Sequence, residues 1–268
     1  MKIKRAIIGG SGVYEIFEES EPLNVNAFGR KVTLYKLQRN GKEVFFLPRH
    51  GKDHSVPPHK IDYLGNIYAL YSLGVTEIIA TNAVGSIIPE VKPGEFVLPD
   101  QFIDNTRNRV LTFFSGEKIN GWEPKIKLSD GTIREGVVHL DYTEPYCPRL
   151  RNLLGEITEK FGEKVHYSGV YVCSEGPRFE TPAEVEMYRR FGGTIAGMTT
   201  VPEAVLAREA NMCYATLCLV TNYGAGMQKK VTHEEVIELF NEKTQVVRKI
   251  IENAVFSDVE SLTCNCRV

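Results

Sequence analysis

Two polar side chains at apparent strand ends carry the clearest chemical signal in this sequence. Asn222 follows the apolar run 213–220 and precedes the Gly-rich turn 224–226, a pattern typical of a buried strand that ends in a loop. Glu180 lies in the segment 175–181, which also resembles a strand end, where ligands bind in open α/β sheets. A carboxylate that accepts hydrogen bonds, beside an amide that donates and accepts them, matches the polar edge of a 6-oxopurine ring. We therefore predict that Glu180 and Asn222 bind such a base, with Tyr223 and Gly224 beside them.

Four other segments are suited to bind an anion. Ser11, between Gly10 and Gly12, offers a hydroxyl and backbone N–H groups, and Arg49-His50 offers a planar guanidinium and an imidazole. Asn82-Ala83 adds a backbone N–H, and Thr199 precedes an apparent helix, whose N-terminus attracts anions. Each segment alone also has a structural explanation, as a tight turn, a surface pair or a helix cap. Their recurrence at successive strand ends favours a phosphate site.

Composition and motif spacing exclude several classes of protein. The chain has 268 residues, 43% of them hydrophobic and 25% charged, and its net charge of −2 gives no basic field for nucleic acid. No segment approaches the roughly 20 apolar residues of a membrane span, and the N-terminal apolar run is too short for a signal peptide. We therefore expect a cytoplasmic protein. The motif Gly9-Gly10-Ser11-Gly12 lacks the third glycine of a dinucleotide fingerprint, and no Walker Lys follows it.

Six cysteines are present, and their spacing does not form a zinc motif. They are Cys147, Cys173, Cys213, Cys218, Cys264 and Cys266. The spacing leads us to expect no metal site. Free thiols are the ordinary state in a cytosol, but disulfides occur inside hyperthermophilic cells. The Cys264-Asn265-Cys266 pair is the first candidate for a disulfide, in a possible C-terminal tail over residues 257–268.

Strands that alternate with helices along the chain predict an α/β fold. Residues 5–8, 77–81 and 166–172 have the pattern of strands, and 31–38 and 43–47 that of a hairpin turning at Asn40-Gly41. Helices are predicted over 58–73 and 148–161, and residues 104–136 are polar and irregular. We predict one domain over residues 1–268, with a central mixed sheet flanked by helices.

Two capping boxes mark further helix starts. Thr181 precedes Pro182 and is followed three positions later by Glu184, and Thr232 stands in the same relation to Glu235. The second box opens a long helix with one apolar face that includes Phe240.

The motifs taken together resemble the family of purine nucleoside phosphorylases and methylthioadenosine phosphorylases. The resemblance extends from residue 7 to about residue 240, and overall the chain is most similar to the methylthioadenosine phosphorylase branch. It implies that phosphate displaces a purine from C1′ of a nucleoside. The segments that carry it are Gly9-Gly10-Ser11-Gly12, Pro48-Arg49-His50-Gly51, Thr81-Asn82-Ala83-Val84-Gly85-Ser86, Glu175-Gly176-Pro177-Arg178-Phe179 and Met198-Thr199-Thr200-Val201-Pro202-Glu203.

Carried over by position, the resemblance implies roles for individual residues. Met198 would pack against the ribose, Phe179 would line the base pocket, and His139 would reach the pocket of a neighbouring subunit near the 5′ end of the sugar. The family forms trimers or dimers of trimers, so a homo-oligomer is implied. The residues assigned to phosphate are Ser11, Arg49, His50, Asn82, Ala83 and Thr199.

Three departures from methylthioadenosine phosphorylases bear on the substrate. Those enzymes carry Ser where this chain has Glu180, Asp at the positions of Asn222 and Gly224, and an apolar residue at the position of His233. All three changes are similar to 6-oxopurine nucleoside phosphorylases. A 6-oxopurine has N1–H and an acceptor O6, which an ionised Glu180 and the Asn222 amide can match. His233 can bond a 5′-hydroxyl, whereas a methylthio group prefers an apolar wall.

The resulting hypothesis is phosphate-dependent cleavage of inosine or guanosine, in which phosphate is a co-substrate and no cofactor is needed. Arg49 and His50 hold the phosphate below C1′, and Asn222 stabilises the departing purine. A phosphorylase of 5′-methylthioinosine or 5′-methylthioadenosine remains the alternative. Two hypotheses come from other classes of protein: a nucleoside sensor without catalysis and a dinucleotide-dependent oxidoreductase.

Overall fold

Two long buried strands form the centre of the sheet in the computed structural model of this chain. They are β5 (Glu77–Ser86) and β13 (Cys213–Tyr223), which pair in parallel with Glu77 opposite Cys213. Most of their residues are buried, as in strands covered on both faces. The structure describes residues 3–10, 13, 20–39, 41–53, 55–258 and 264–267, and of His233 the backbone alone.

The remaining elements are arranged in α/β alternation. The other strands are β1 (Arg5–Gly9), β2 (Glu21–Ala27), β3 (Arg30–Arg39), β4 (Lys42–Pro48), β6 (Phe96–Val97), β7 (Gln101–Asn105), β8 (Ile126–Lys127), β9 (Ile133–Arg134), β10 (Val165–His166), β11 (Val170–Ser174) and β12 (Ile195–Gly197). The helices are α1 (Tyr63–Ser72), α2 (Pro148–Lys160), α3 (Pro182–Arg190), α4 (Thr200–Glu209) and α5 (His233–Phe256).

The large sheet is mixed and branches at β5. Its main path runs β10-β6-β13-β5-β1-β4-β3-β2, and a side branch leads from β5 through β12 to β11 and β7. The pairs β1–β4, β1–β5 and β13–β5 are parallel, whereas β12 pairs with the end of β5 in antiparallel direction. The branch therefore brings the residues after β12 next to the second half of β5.

Helices cover both faces of the sheet because successive strand residues point to opposite sides. Ala6 and Ile8 of β1 pack on the side of α1 and α4, whereas Ile7 packs on the side of α2 and α5. The predicted α/β fold with a mixed sheet and flanking helices is thus confirmed. In the described part of the chain, no helix combines the length and the apolarity that crossing a membrane would require.

Three sequence predictions of elements were partly wrong. The strand predicted over 77–81 continues as β5 to Ser86, so Asn82 and Ala83 lie inside a strand and not in the loop after it. The helix predicted over 58–73 begins only at Tyr63, because Asp62 caps it by accepting from the Gly65 N–H at 3.0 Å, while Pro58–Lys60 forms a separate 3-10 turn. The strand predicted over 166–172 is two strands, β10 and β11, which pair with β6 and β7 respectively.

One of the two predicted capping boxes is complete, and the other is formed only in part. Thr181 and Glu184 form the complete capping box of α3. Thr232 accepts from the Glu235 N–H at the start of α5, but the Glu235 carboxylate accepts from Gln228 Nε2 at 2.7 Å rather than closing the box. The hairpin of β3 and β4 is confirmed, although Asn40 lies outside the described residues.

Candidate active site

A cavity of about 670 Å³ opens beside the second half of β5. Its walls come from the loops after β1 and β4, from the segment that joins β12 to α4, from the end of β13 and from α5. This volume lies within the range of roughly 300–1,000 Å³ that is usual for small-molecule sites. Nine predicted site residues line it: Arg49, His50, Asn82, Ala83, Phe179, Glu180, Met198, Thr199 and Asn222.

The other five predicted site residues do not contribute a described side chain to this cavity. Ser11 lies outside the described residues, as does the side chain of His233. Tyr223 and Gly224 are not part of the lining, and their backbone N–H groups donate to Gln228 Oε1 and to the Ser86 carbonyl, both at 2.7 Å. His139 is exposed and also lies outside the lining. The roles predicted for these residues stay predictions.

Arg49 is held rigidly at one end of the cavity by a buried carboxylate. Its Nε and Nη2 donate to the two oxygens of Glu203 at 2.5 and 2.9 Å, and its Nη1 donates to the Thr81 carbonyl at 3.0 Å. Burial alone lowers the pKa of Arg49, but the adjacent Glu203 carboxylate more than offsets it, so the pKa is raised. A fully protonated guanidinium with fixed orientation is suited to bind an anion without reorganisation.

Glu203 is a residue that sequence reasoning missed. It lies in the first turn of α4 and also accepts from the Tyr214 hydroxyl at 2.7 Å. Burial raises the pKa of Tyr214 well above its usual value, and the nearby Glu203 charge raises it further, so this phenol remains a donor. The motif at 198–203 contained Glu203, but nothing in its spacing indicated that its partner would be Arg49.

Asn82 and Thr199 are joined by a buried chain of hydrogen bonds. Thr199 Oγ1 donates to Asn82 Oδ1 at 2.6 Å, and Asn82 Nδ2 donates to Thr216 Oγ1 at 2.7 Å. Thr199 is the N-cap of α4, but its side chain makes no capping bond because it faces Asn82. The start of a helix and the middle of β5 are thereby locked together at the same end of the cavity as Arg49.

His50 is oriented by a main-chain contact. Its Nδ1 lies 2.7 Å from the Val56 carbonyl oxygen. Because a carbonyl can only accept, Nδ1 carries a hydrogen in this contact. The imidazole is therefore fixed on the cavity wall beside Arg49.

Thr81 adds a feature that the sequence did not indicate. Its side-chain oxygen is buried and has no hydrogen-bond partner within the described part of the chain, and the residue lines the cavity next to Asn82. A buried hydroxyl without a partner is uncommon in a folded protein and fits a polar ligand at this end.

Asn222 is positioned by an irregularity in β13. The register with β5 shifts between Val220 and Asn222, and such bulges re-aim side chains near functional sites. Asn222 Oδ1 accepts from Thr221 Oγ1, and Nδ2 donates to the Tyr223 carbonyl, both at 2.9 Å. An amide has two donor hydrogens and two acceptor lone pairs, so one of each is left to face a ligand. A Cβ on Gly85 would come within 3.2 Å of Nδ2, a tight contact that would press on the Asn222 amide.

Glu180 is anchored by Ser174, a second residue that sequence reasoning missed. Ser174 Oγ at the end of β11 donates to Glu180 Oε1 at 2.5 Å. This bond leaves Glu180 Oε2 as the carboxylate oxygen that Ser174 does not engage. Glu180 is only half-buried, and it lines a smaller adjoining cavity of about 270 Å³ as well. Asn222 is deeply buried by comparison.

Apolar side chains close the cavity between these polar groups. Phe179 is 36% exposed and lies next to Glu180, and Met198 packs so closely on Gly176 that a Cβ there would come within 2.5 Å of its sulfur. Val236, Ile237 and Phe240 of α5 form a further apolar wall, which sequence analysis did not assign to the site. The cavity can thus hold a flat ring and a sugar between an anion site and a polar edge.

The fold and the cavity define an α/β protein with a small-molecule cavity that combines a buried guanidinium, a buried amide and a carboxylate. The sequence profile of the phosphorylase superfamily matches residues 4–255. The chain therefore belongs to this superfamily.

Within this superfamily, the chain is similar to several individual nucleoside phosphorylases. It is 48% identical to the 6-oxopurine nucleoside phosphorylase of Pyrococcus furiosus, over 98% of this chain and 96% of that protein. It is 43% identical to the S-methyl-5′-thioadenosine phosphorylase of Pyrococcus abyssi, over 98% and 96% of the two chains. The solved structure of methylthioadenosine phosphorylase from Schistosoma mansoni in complex with adenine superimposes with a TM-score of 0.84 at 33% identity, covering 95% of this chain and 91% of that one.

Proposed function

We propose that the protein is a purine nucleoside phosphorylase that cleaves 6-oxopurine nucleosides with inorganic phosphate. The observation that carries the proposal is one cavity in which Arg49, fixed by Glu203, contacts Thr81 of β5 and Asn222 lies against Gly85, four positions further along the same strand. Glu180 lines the same cavity. The Pyrococcus furiosus relative, named as a 6-oxopurine nucleoside phosphorylase, supports it.

The proposed chemistry is a displacement at C1′. A phosphate oxygen forms the new bond to C1′, the C1′–N9 bond breaks, and its electron pair leaves with the purine. The ribose becomes oxocarbenium-like, and the phosphate held by Arg49, His50 and Thr199 stabilises its positive charge. The Asn222 amide N–H donates to O6 of the departing purine, N7 takes up a proton from solvent, and the Asn222 amide oxygen accepts a hydrogen bond from the resulting N7–H. The products are a free purine and ribose 1-phosphate, so phosphate is a co-substrate and no cofactor is required.

The base contacts account for the 6-oxo preference. Glu180, held by Ser174, accepts from the N1–H of hypoxanthine or guanine. Asn222 donates its remaining hydrogen to O6. An adenine ring presents an acceptor at N1, so Glu180 Oε2 would face an acceptor instead of a donor, which disfavours adenine by roughly 1–3 kcal/mol.

The test is purine release from inosine, guanosine, 5′-methylthioinosine and 5′-methylthioadenosine, each with and without phosphate. We expect phosphate-dependent cleavage led by inosine or guanosine. Preference for 5′-methylthioadenosine would contradict the roles of Glu180 and Asn222. Tight nucleoside binding without phosphate-dependent release would contradict catalysis.

A phosphorylase of 5′-methylthioinosine is the second candidate, and one observation favours it. Val236, Ile237 and Phe240 give α5 an apolar wall close to position 233, where a methylthio group could pack. Such a substrate keeps the contacts of Glu180 and Asn222 and removes the role predicted for His233. The assay above separates the two candidates directly.

We further propose a cytoplasmic homo-oligomer, a trimer or a dimer of trimers, in which His139 completes the site of a neighbouring subunit. His139 is exposed and lies outside the cavity of its own chain, which supports this role. Light scattering gives the subunit number. Mixing inactive His139→Ala subunits with inactive Asn222→Ala subunits should restore part of the activity, whereas a site complete within one chain would give none.

A further inference from the structure

Four cysteines that are distant in sequence come together in the structure. They are Cys147, Cys213, Cys264 and Cys266, called here the four-cysteine cluster, and their Sγ atoms all lie within 4.8 Å of one another. Cys147, Cys213 and Cys266 are buried, and Cys264 is half-buried. No disulfide links the six cysteines, all of which are described. The cluster belongs neither to the cavity nor to any step of the proposed reaction.

Three separate parts of the fold supply these thiols. Cys147 is the N-cap of α2, Cys213 is the first residue of β13, and Cys264 and Cys266 lie on the C-terminal tail. The Cys147 N–H donates to the Tyr214 carbonyl at 2.8 Å, which sets the first two thiols side by side.

The tail is also tied down beside its cysteines. Arg267 Nε donates to the Asn211 carbonyl at 3.0 Å, just before β13. Cys213 and Cys264 are 51 positions apart in sequence, so no local spacing could have indicated this grouping.

The distances match a shared ion. Four sulfurs around one tetrahedral Zn²⁺ at about 2.3 Å lie roughly 3.8 Å from one another. The Cys213 and Cys264 sulfurs are 3.5 Å apart, and every pair in the cluster is within 4.8 Å. Two disulfides would require only two close pairs of sulfur atoms, whereas one shared metal ion requires all four sulfur atoms to lie close to one another. We propose that the four-cysteine cluster binds one Zn²⁺ ion, or a similar soft divalent ion, as a tetrathiolate site.

The surroundings suit the charge of such a site. Four thiolates and one divalent ion carry a net charge of −2. Arg149 Nη2 lies 4.0 Å from Cys213 Sγ and is itself paired with Glu77, which also accepts from Arg5 Nε at 2.8 Å. A cation next to the ligands is the kind of outer partner that orients and stabilises a metal site.

The proposed ion is structural. Cys213 begins β13 and Asn222 lies near its other end, nine positions on, so the cluster is roughly 30 Å along the strand from the base contact. All four ligand positions are protein sulfurs, as in closed structural sites. Its role would be to tie the tail to the start of α2 and β13. This inference departs from the sequence-based expectation of no metal, and it is independent of the proposed substrate.

The experiment is metal uptake by the intact protein under anaerobic, reducing conditions. The protein is purified without chelator, its zinc is measured by elemental analysis, and the metal-stripped protein is titrated with Co²⁺. We expect one ion per chain and the intense visible absorption of tetrahedral Co²⁺ bound by sulfur. Four free thiols that take up no Co²⁺ would overturn the proposal. So would two disulfides found by mass spectrometry in anaerobically purified protein.

Variants assign the ligands. Cys264→Ser/Cys266→Ser alters only the tail, and we expect metal content to fall at least tenfold and the Tm to become insensitive to chelator. Cys173→Ser is the matched control, because Cys173 is a buried cysteine outside the cluster, and its metal content should be unchanged. Equal metal content in the double variant and the control would overturn the proposal. Because these readouts do not depend on nucleoside cleavage, the assignment stands or falls separately from the proposed function.

Discussion

The two ends of the cavity are built in different ways. At the phosphate end, Arg49, Asn82 and Thr199 are deeply buried, and each is fixed by hydrogen bonds to a strand or helix residue. At the base end, Glu180 and Phe179 lie on the connection between β11 and α3 and are partly exposed. Rigid elements therefore hold the groups proposed to bind phosphate, while a loop carries two of the groups proposed to bind the base.

Under the proposed function, this difference separates the groups that would hold the reacting phosphate from the groups that would select the base. Replacing a buried residue that is hydrogen-bonded to other elements destabilises the fold as well as changing the chemistry of the site. A half-exposed loop residue can change with little effect on stability, and loops carry specificity for that reason. We expect variants at the phosphate end to lose stability and rate together, and variants of the half-buried Glu180 to lose discrimination between bases.

The largest effect is expected at the buried pair of Arg49 and Glu203. Arg49→Met leaves the Glu203 carboxylate buried without its cation, so the free energy of unfolding should fall by about 3–5 kcal/mol. Arg49→Met/Glu203→Leu removes both charges and should recover most of this loss, while phosphate-dependent cleavage stays at least a hundredfold below wild type. Urea unfolding and phosphate-saturation kinetics measure the two properties. A double variant that regains activity would show that Arg49 acts only on folding.

Asn222 tests the buried member of the base end. Asn222→Ala should lower the single-turnover rate about a hundredfold, roughly 3 kcal/mol, because the donor acts on charge that develops as the purine leaves. Nucleoside affinity should change much less. Asn253→Ala, which truncates an exposed asparagine on α5, is the control and should behave as wild type. An unchanged chemical rate in Asn222→Ala would remove this residue from the mechanism.

The double change Glu180→Ser/Asn222→Asp tests specificity. It restores the residue types of methylthioadenosine phosphorylases, so the ratio of kcat/KM for inosine to that for adenosine should fall by about 10–100-fold. Stability should change little at position 180, because Glu180 is only half-buried and, among the described residues, its side chain is hydrogen-bonded to Ser174 alone. Persistent preference for inosine would mean that base selection lies elsewhere in the cavity.

Glu95 lies outside the cavity and tests how the free energy of unfolding depends on acid pH away from the site. Burial raises the pKa of Glu95, but hydrogen bonds from the Lys92 N–H, His166 and Lys164 outweigh it and lower the pKa to about 2. Because the unfolded chain binds this proton more tightly, the stabilisation is present above about pH 4.5 and is lost as the pH falls toward 2. Glu95→Gln should flatten this part of the stability curve by about 1 kcal/mol in urea titrations. An identical curve would assign the acid loss to other carboxylates.

Much of the site could be predicted from short motifs, because most of them lie at the end of a strand, although Asn82 and Ala83 lie inside β5. Arg49-His50 and Asn82-Ala83 directly follow or lie within apolar runs, so their position at the sheet was evident from periodicity. Glu180 and Asn222, the two residues on which the predicted substrate specificity depends, were also predicted from apparent strand ends, and both line the cavity. The local hydrophobic pattern is sufficient to predict a site residue where the course of the strand alone decides the position of its side chain.

The tertiary structure alone decided the partners of these residues. Glu203 reaches Arg49 across 154 positions, Ser174 anchors Glu180, and α5 supplies an apolar wall to a cavity formed mainly by strand ends. The four-cysteine cluster likewise joins the start of α2, the start of β13 and the tail. Sequence determined the strands, the turns and the chemistry available at each turn, because these depend on neighbours along the chain. Which groups meet depends on sheet order and helix packing, which no local pattern encodes.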